Sequence, residues 1–377
     1  MPNIIIAPDS FKESMSAREA AEAIQTGFQQ ASVHHDYHLI PMGDGGEGTM
    51  EALTANLDGA YHTLQVEGPD KHRIEATYAV SADGKIAIME MAQASGLDRV
   101  AAQYRDVGAA STYGTGEMIY AALDRGVQKI ILGIGGSATN DGGAGMIEAL
   151  GAQLLDDHGK AIARGGVGLE HLATIDVSEL DPRLQKTEIV VACDVTNPLL
   201  GEKGASAIFG PQKGADTAMV QRLDDALAHF HARTVEATGY DVNDTPGAGA
   251  AGGLGYALMA YLNADLKPGI DLVLEETDFR AYARNADVII TGEGKIDGQS
   301  VYGKTPVGVA KAGKETDTFV IAMCGQLGDK YEEVYNHGID AVFSLVPGAI
   351  SVQDAMEHGK TYLQQAARNI ASVYNEK

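Results

Sequence analysis

The chain is constrained first by a construction it repeats: a short apolar run, a glycine-rich polar loop, then a helix. The fullest instance is Ile130–Gly145, IILGIGGSATNDGGAG. Ile130-Ile131-Leu132 has the pattern of a buried strand. The run then breaks into Gly133, Gly135, Gly136, Gly142, Gly143 and Gly145, among which stand Ser137, Thr139, Asn140 and Asp141. Met146–Leu150 reads as a helix. Glycine lets backbone N–H groups approach an anion, and a helix N-terminus adds its dipole. A tight capped turn would account for the same residues. Repetition of the construction favours ligand binding.

Ile4–Ala7 runs into Pro8-Asp9-Ser10-Phe11-Lys12, and Ser16 with Glu19 forms a capping box before a helix carrying Ala20, Ile24 and Phe28 on one face. In an α/β unit this loop lies at the carboxyl edge of the sheet, where such folds bind ligands. The strand His38–Pro41 leads to Gly43–Thr49, in which Asp44 is a candidate Mg²⁺ ligand or base. The strand Glu188–Ala192 ends in Cys193-Asp194, a natural place for a general base or metal ligand. Lys213 stands in a tight loop, Phe209–Gly214. Asp287–Ile290 is a strand ending in Thr291-Gly292-Glu293, with Asp297 beyond. Strands Phe319–Met323 and Ala341–Leu345, with a helix at Lys330–His337 between them, close the chain.

Two glycine patterns are weaker. Gly247, Gly249 and Gly252, followed by Gly253, match G-x-G-x-x-G, but no strand feeds directly into them. A phosphate loop or plain close packing reads better than a dinucleotide fingerprint. GQSVYGKT at Gly298–Thr305 matches the P-loop formally. It is discounted because Thr291–Asp297 separates its first glycine from the expected strand.

Between Tyr61 and Glu90 the pattern changes to three strands, Tyr61–Val66, Ile74–Val80 and Lys85–Met89, with little helix between them. Two domains are the expectation for 377 residues. The strand pattern predicts a second, mixed or antiparallel sheet starting near 61 and a return to α/β units near Asp287. A net charge of −24 argues against non-specific nucleic-acid binding. Cys193 and Cys324 each end an apolar run and read as buried thiols. No basic n-region and no apolar run of about 18 residues is present, so neither a signal peptide nor a membrane helix is expected, and a cytoplasmic protein is. His34, His35 and His38 lack carboxylate or cysteine company and read as surface residues.

Six or seven loops thus share glycine, Asp, Ser or Thr, and a lysine. A nucleoside triphosphate with Mg²⁺ and a small hydroxylated acceptor wants that combination. The blocks APDSFKESMSA (7–17), GDGGEGT (43–49), GIGGSATNDGGAGM (133–146), ACDVTNPL (192–199), FGPQKGA (209–215), PGAGAAGGLG (246–255) and TGEGKIDGQSVYGK (291–304) resemble the bacterial type I glycerate kinases, in that family's order. Gly43 stands where the family often has Ala. Thr305 stands where an apolar residue is expected.

The resemblance implies ATP-dependent, Mg²⁺-dependent phosphorylation of D-glycerate, at the 2-hydroxyl, in the cytoplasm. It implies an α/β fold of two domains: a Rossmann or flavodoxin-like parallel-sheet domain from 1–60 plus 286–377, and an inserted α/β domain with a mixed sheet, 61–285. The active site is expected in the cleft between them. Asp194 is expected as the base, with Asp9, Asp44 and Asp297 as rivals, and Lys12 and Lys213 neutralising phosphate or carboxylate. Ser10, Asp44 and Arg105 are expected at the substrate, Arg105 because guanidinium grips carboxylate in a fork. Asp44 and Asp297 are expected at Mg²⁺. Gly133, Gly135, Gly136, Ser137, Thr139 and Asn140, the glycines 247, 249, 252 and 253, and Thr291, Gly292 and Glu293 are expected at ATP. A homodimer stays open, and no nucleic-acid or membrane partner is expected. Two other readings stand beside this one: a P-loop enzyme using Lys304 and Thr305, and a non-catalytic nucleotide-binding protein.

Overall fold

The structure, a computed structural model, describes residues 2–31 and 35–374; His34 lies outside them. The chain divides into two compact units, Met1–Leu57 with Pro268–Lys377, and Asp58–Lys267.

The first unit carries a five-stranded sheet in the order Ala341–Ser344, Phe319–Leu327, Val288–Ile296, Asn3–Pro8, Asp36–Leu39. All neighbours are parallel. Renumbered within this unit, the order is 2-1-3-4-5, the flavodoxin-like arrangement. A parallel sheet covered on both faces needs unbroken apolar runs, and Ile4, Ile5, Ile6, Val288, Ile289 and Ile290 are all fully buried. The helix Ala17–Gln30 starts at the expected capping box, Ser16 with Glu19. It packs along the helix Gly359–Tyr374 so closely that a Cβ on Gly27 would lie 2.3 Å from the Gln364 carbonyl.

The strand order reverses between Asn3–Pro8 and Val288–Ile296. A crevice outside the carboxyl ends of those two strands is the binding place this topology provides. Asp9 follows one strand, and Glu293 lies near the end of the other.

The second strand of that pair is longer than the sequence suggested. Val288–Ile296 continues through Thr291, Gly292 and Glu293, because each residue finds a partner on Phe319–Leu327. The re-entry into this unit also comes earlier, at Pro268 rather than 286. Helices Gly269–Glu276 and Phe279–Ala283 belong here: Ile270 packs so tightly on Gly308 that a Cβ there would lie 2.2 Å away.

The second unit holds a six-stranded mixed sheet, in the order Asp265–Lys267, Glu188–Ala192, Lys129–Gly133, Ile86–Glu90, Arg73–Val80, Ala60–Glu67. The first four are parallel and the last two join antiparallel. The turn at Ser81–Gly84 connects Arg73–Val80 to Ile86–Glu90, with Gly84 at φ +74. Its core runs from Val66 and Tyr78 through Ile130 and Leu132 to Phe230 and Tyr256. Both cysteines are free; Cys324 is buried and Cys193 is half-buried. Among the described residues no helix is long and apolar enough to cross a membrane.

Candidate active site

In the first unit, Asp9, Glu293, Ser300, Lys304 and Thr305 form one buried cluster at the switch point. Asp9 accepts from the Thr305 hydroxyl at 2.6 Å and from the Ser10 N–H at 2.6 Å. Glu293 accepts from the Ser300 hydroxyl at 2.8 Å and faces the Lys304 ammonium at 3.5 Å. Burial raises the Asp9 carboxyl to about 6, and the charge of Asp44 adds to the rise against the Thr305 bond. Burial likewise raises Glu293 to about 7, opposed by Lys304 and Ser300 and reinforced by Asp9. Two buried carboxylates therefore lie close together, with Lys304 beside Glu293 and the charge of Lys12 acting on Asp9, neither of which cancels the desolvation.

Asp44 is half-buried beside this pair and accepts from the Gly46 N–H at 3.1 Å. Asp297, expected at Mg²⁺, is occupied otherwise. Lys295 lies 2.8 Å from it, and that hydrogen-bonded partner holds its carboxyl below the usual range. Glu293 is the carboxylate that accompanies Asp9. Lys12 is exposed nearby in sequence. Among the described residues no group of three or more His, Cys, Asp or Glu side chains forms a metal cage.

The stretch 298–305 follows a strand after all, since that strand ends at Ile296, and Thr305 opens a helix. Distance from a strand therefore does not set this stretch apart from a P-loop; its hydrogen bonds do. A P-loop presents free N–H groups to phosphate. Here Gly298 donates to the Asp329 carbonyl, Ser300 to that of Asp297, and Tyr302 to that of Gln299. The Gln299 N–H is spent on the Asp297 carboxylate. Lys304 and Thr305 face Glu293 and Asp9.

The carboxyl edge of this sheet also borders a cavity of about 240 Å³. Phe11, Met15 and Leu345 form its buried wall, and Lys12, Gly294, Gly325 and Gln326 line it as well.

In the second unit, Lys213 and Arg105 come together in a cavity of about 230 Å³ that Lys71, Tyr104 and Ala138 also line. Lys213 is 2% exposed. Its ammonium donates to the Ser137 hydroxyl at 2.7 Å and the Thr139 carbonyl at 2.6 Å, which leaves one N–H of three. Desolvation lowers it to about 7, against the pull of Asp141. Arg105 is fixed by bonds from Nε to the Val100 carbonyl and from Nη2 to the Leu97 carbonyl, both 3.2 Å. Its remaining N–H groups are uncommitted by those bonds.

Asp194 lies two residues past the end of Glu188–Ala192 and is exposed. Gly133 pairs with Ala192 in register, so the loops carrying Gly135 and Asp194 leave neighbouring strands at the same carboxyl edge. Gly135 and Gly136 are exposed, and a Cβ on Gly135 would meet nothing within 4 Å. The glycines of 247–253 differ. A Cβ on Gly249 would lie 2.2 Å from the Pro198 carbonyl, and one on Gly252 would lie 2.0 Å from that of Thr139. Close packing of one loop on the other accounts for them. The loop leaves two buried acceptors without a partner, Thr139 Oγ1 and Asn140 Oδ1, while Asn140 Nδ2 donates to Ser206 at 2.9 Å.

Asp141, which with Asn140 reads from the sequence as able to hold Mg²⁺ or a substrate hydroxyl, is committed to the fold. Fully buried, it accepts from the Thr112 N–H and hydroxyl at 2.8 and 2.9 Å and from the Gly143 and Gly145 N–H groups at 3.2 Å. It ties the starts of helices Tyr113–Asp124 and Ala144–Ala149 to each other. Its place just before Gly142-Gly143 and a helix was the available signal.

Against known proteins, the profile described as the Glycerate kinase family matches residues 4–375. A glycerate kinase of Halalkalibacterium halodurans is 55% identical over 373 residues, covering 99% of this chain and 98% of that one. A glycerate 2-kinase of Escherichia coli is 49% identical over 370 residues, covering 98% and 97%. The crystal structure of a Salmonella typhimurium LT2 protein, described as a candidate glycerate kinase 2, superposes with a TM-score of 0.93 at 47% identity, covering 100% of this chain and 98% of that one.

Proposed function

Because the chain belongs to the glycerate kinase family, we propose that it transfers the γ-phosphoryl group of ATP to the 2-hydroxyl of D-glycerate, giving 2-phosphoglycerate and ADP. The whole-length match to glycerate kinases, one of them named for the 2-position, carries this reading. The two clusters supply the groups that the reaction needs.

Asp9 and Glu293 fit a divalent cation. They are buried and lifted toward their protonated forms, and Mg²⁺ in phosphoryl transfer takes one or two carboxylates beside the phosphates. When bound, Mg²⁺ would offset charge on the β- and γ-phosphates. Thr305 and Ser300 hold the two carboxylates in fixed rotamers through their hydroxyl bonds. Lys12, whose charge acts on Asp9, serves the phosphates. Arg105 and Lys213 hold the glycerate carboxylate, the first by its guanidinium fork and the second by its remaining N–H. Asp194 takes the proton of the 2-hydroxyl, as the catalytic-loop Asp does in a protein kinase. Both substrates being small soluble metabolites, the cytoplasm is its place of action.

A coupled assay tests the reaction. ADP release with ATP, Mg²⁺ and D-glycerate, with immediate turnover of the product by enolase, is the expected result. A product that needs phosphoglycerate mutase before enolase responds would move the reaction to the 3-hydroxyl. Absence of glycerate-dependent ADP release would overturn the reading. For the base, near-normal turnover by Asp194→Asn would remove that residue from its role.

A further inference from the structure

We infer that the cavity at the carboxyl ends of Val288–Ile296 and Phe319–Leu327 receives the purine base and ribose of the nucleotide, with the phosphates leading out past Lys12 to Asp9 and Glu293. This inference rests on the kinase reading above and goes beyond it by giving the base a place.

The cavity has the polarity of a nucleotide. Its inner wall is buried and apolar: Phe11, Met15 and Leu345. Its rim is apolar too, yet open to water: Ile350 is 37% exposed, Val352 71% and Met356 36%. Exposed aliphatic side chains gathered round one concave site mark a place where a flat apolar group is covered. At about 240 Å³ the space is of a size for a bicyclic ring, and it is open to solvent on one side.

Two glycines keep the floor clear. Gly294 and Gly325 lie on neighbouring strands and line this space; a Cβ on Gly294 would stand 3.7 Å from the backbone of Phe11 and Lys12, which also line it, and one on Gly325 would stand 2.7 Å from the Gly294 carbonyl. The rim is held in place by its own bonds. The Ser14 hydroxyl donates to the Met356 carbonyl at 2.6 Å, and Ser351 caps the helix Val352–Glu357. Gln326 supplies an amide on the wall, a donor and an acceptor that match the edge of a purine.

Continuity with the carboxylate cluster decides the occupant. Gly294 lines the cavity and directly follows Glu293, so their Cα atoms are about 3.8 Å apart. Lys12 lines it three residues after Asp9. A ligand with its ring against Met15 and its anionic tail past Lys12 would bring its phosphates, with their Mg²⁺, to the two carboxylates that would hold the cation. The flavodoxin-like strand order puts ligands at this edge on general grounds.

The test uses the full chain and two probes, ADP and pyrophosphate, titrated in Mg²⁺ by calorimetry. The variant is Ile350→Glu with Val352→Glu, both at exposed positions, with Tm and circular dichroism to show that it folds. ADP affinity falling at least tenfold with pyrophosphate affinity unchanged is the expected result. An unchanged ADP affinity in the folded variant overturns the base pocket and leaves the kinase reading standing. A wild-type protein that binds neither ADP nor ATP overturns both. A Gly294→Leu protein, whose side chain would fill the floor, provides the second arm: it should lose ADP and keep pyrophosphate, and retention of ADP would again overturn the assignment.

Discussion

At Asp9 the folded chain keeps a carboxylate 8% exposed, and its bonds from Thr305 and Ser10 do not repay its desolvation. The linkage has a definite sign. Asp9 is raised to about 6 and Glu293 to about 7, so between about pH 4 and 7 the folded chain holds protons that the unfolded chain has released. The stability these groups contribute is fully present below their unfolded pKa values and is lost as pH rises through 6 and 7. Asp9→Asn should therefore raise the Mg²⁺-free Tm at pH 8 more than at pH 5 and reduce turnover at least a hundredfold. An equal shift at both pH values would refute the linkage. At Lys213 the argument concerns binding. Lys213→Met keeps the stem and removes a charge-assisted bond worth about 1.5–3 kcal/mol, so KM for glycerate should rise about 10- to 100-fold with KM for ATP unchanged. Steady-state kinetics with each substrate varied in turn decides it. Asp9 and Lys12 stood out because they lie in a polar loop after an apolar run, Lys213 because it lies in a tight glycine loop, and Arg105 only because guanidinium suits a carboxylate. Their partners did not. Nothing local says that Thr305 reaches Asp9 across 296 positions, or that Lys295 claims Asp297 and leaves Glu293 as the companion carboxylate.

Among elements, the two glycine loops of the second unit look alike in sequence and differ in what surrounds them. Gly252 sits at φ +69 with the Thr139 carbonyl 2.0 Å from where a Cβ would be. Gly252→Ala should cost more than about 3 kcal/mol and lower Tm by many degrees, since it combines a backbone collision with left-handed strain. Gly135 has neither constraint. Gly135→Ala should leave Tm within about 1 °C and slow turnover if phosphate approaches the backbone there. Thermal melts and kinetics on the pair separate packing glycines from ligand-facing ones; a stable Gly252→Ala protein would break the distinction. The sequence could not make it, because both loops show the same composition and only the tertiary neighbour differs. Strand ends were similarly hard to read. The run after Ile290 turns polar, yet Val288–Ile296 continues because Phe319–Leu327 offers it paired carbonyls and N–H groups as far as Leu327.

For the whole molecule, the alternation of apolar runs and helices gave the α/β class, and the strands after Ala60 gave the mixed sheet. The order of strands came from the fold alone, since parallel neighbours can be hundreds of residues apart. A charge of −24 on 377 residues is another property of the whole. Mutual repulsion lowers stability when screening is weak, so raising NaCl from about 20 mM to about 300 mM should increase Tm. A fall in Tm by calorimetry would show that local ion pairs outweigh the net charge.

The pairing of Ile4 with Val288 has a consequence for the chain as it is made. The strand Asn3–Pro8 meets its first neighbour, Asp36–Leu39, almost at once, but its other edge waits until 284 further residues have emerged. At about 5–20 residues per second that delay is roughly 15–60 s. Throughout it the nascent chain displays a row of unpaired N–H and C=O groups flanked by three isoleucines. Such an edge invites pairing between ribosome-bound neighbours. Slowing translation inside 58–267 would lengthen this vulnerable interval, and a chaperone that shields the emerging amino-terminal segment would shorten its effects.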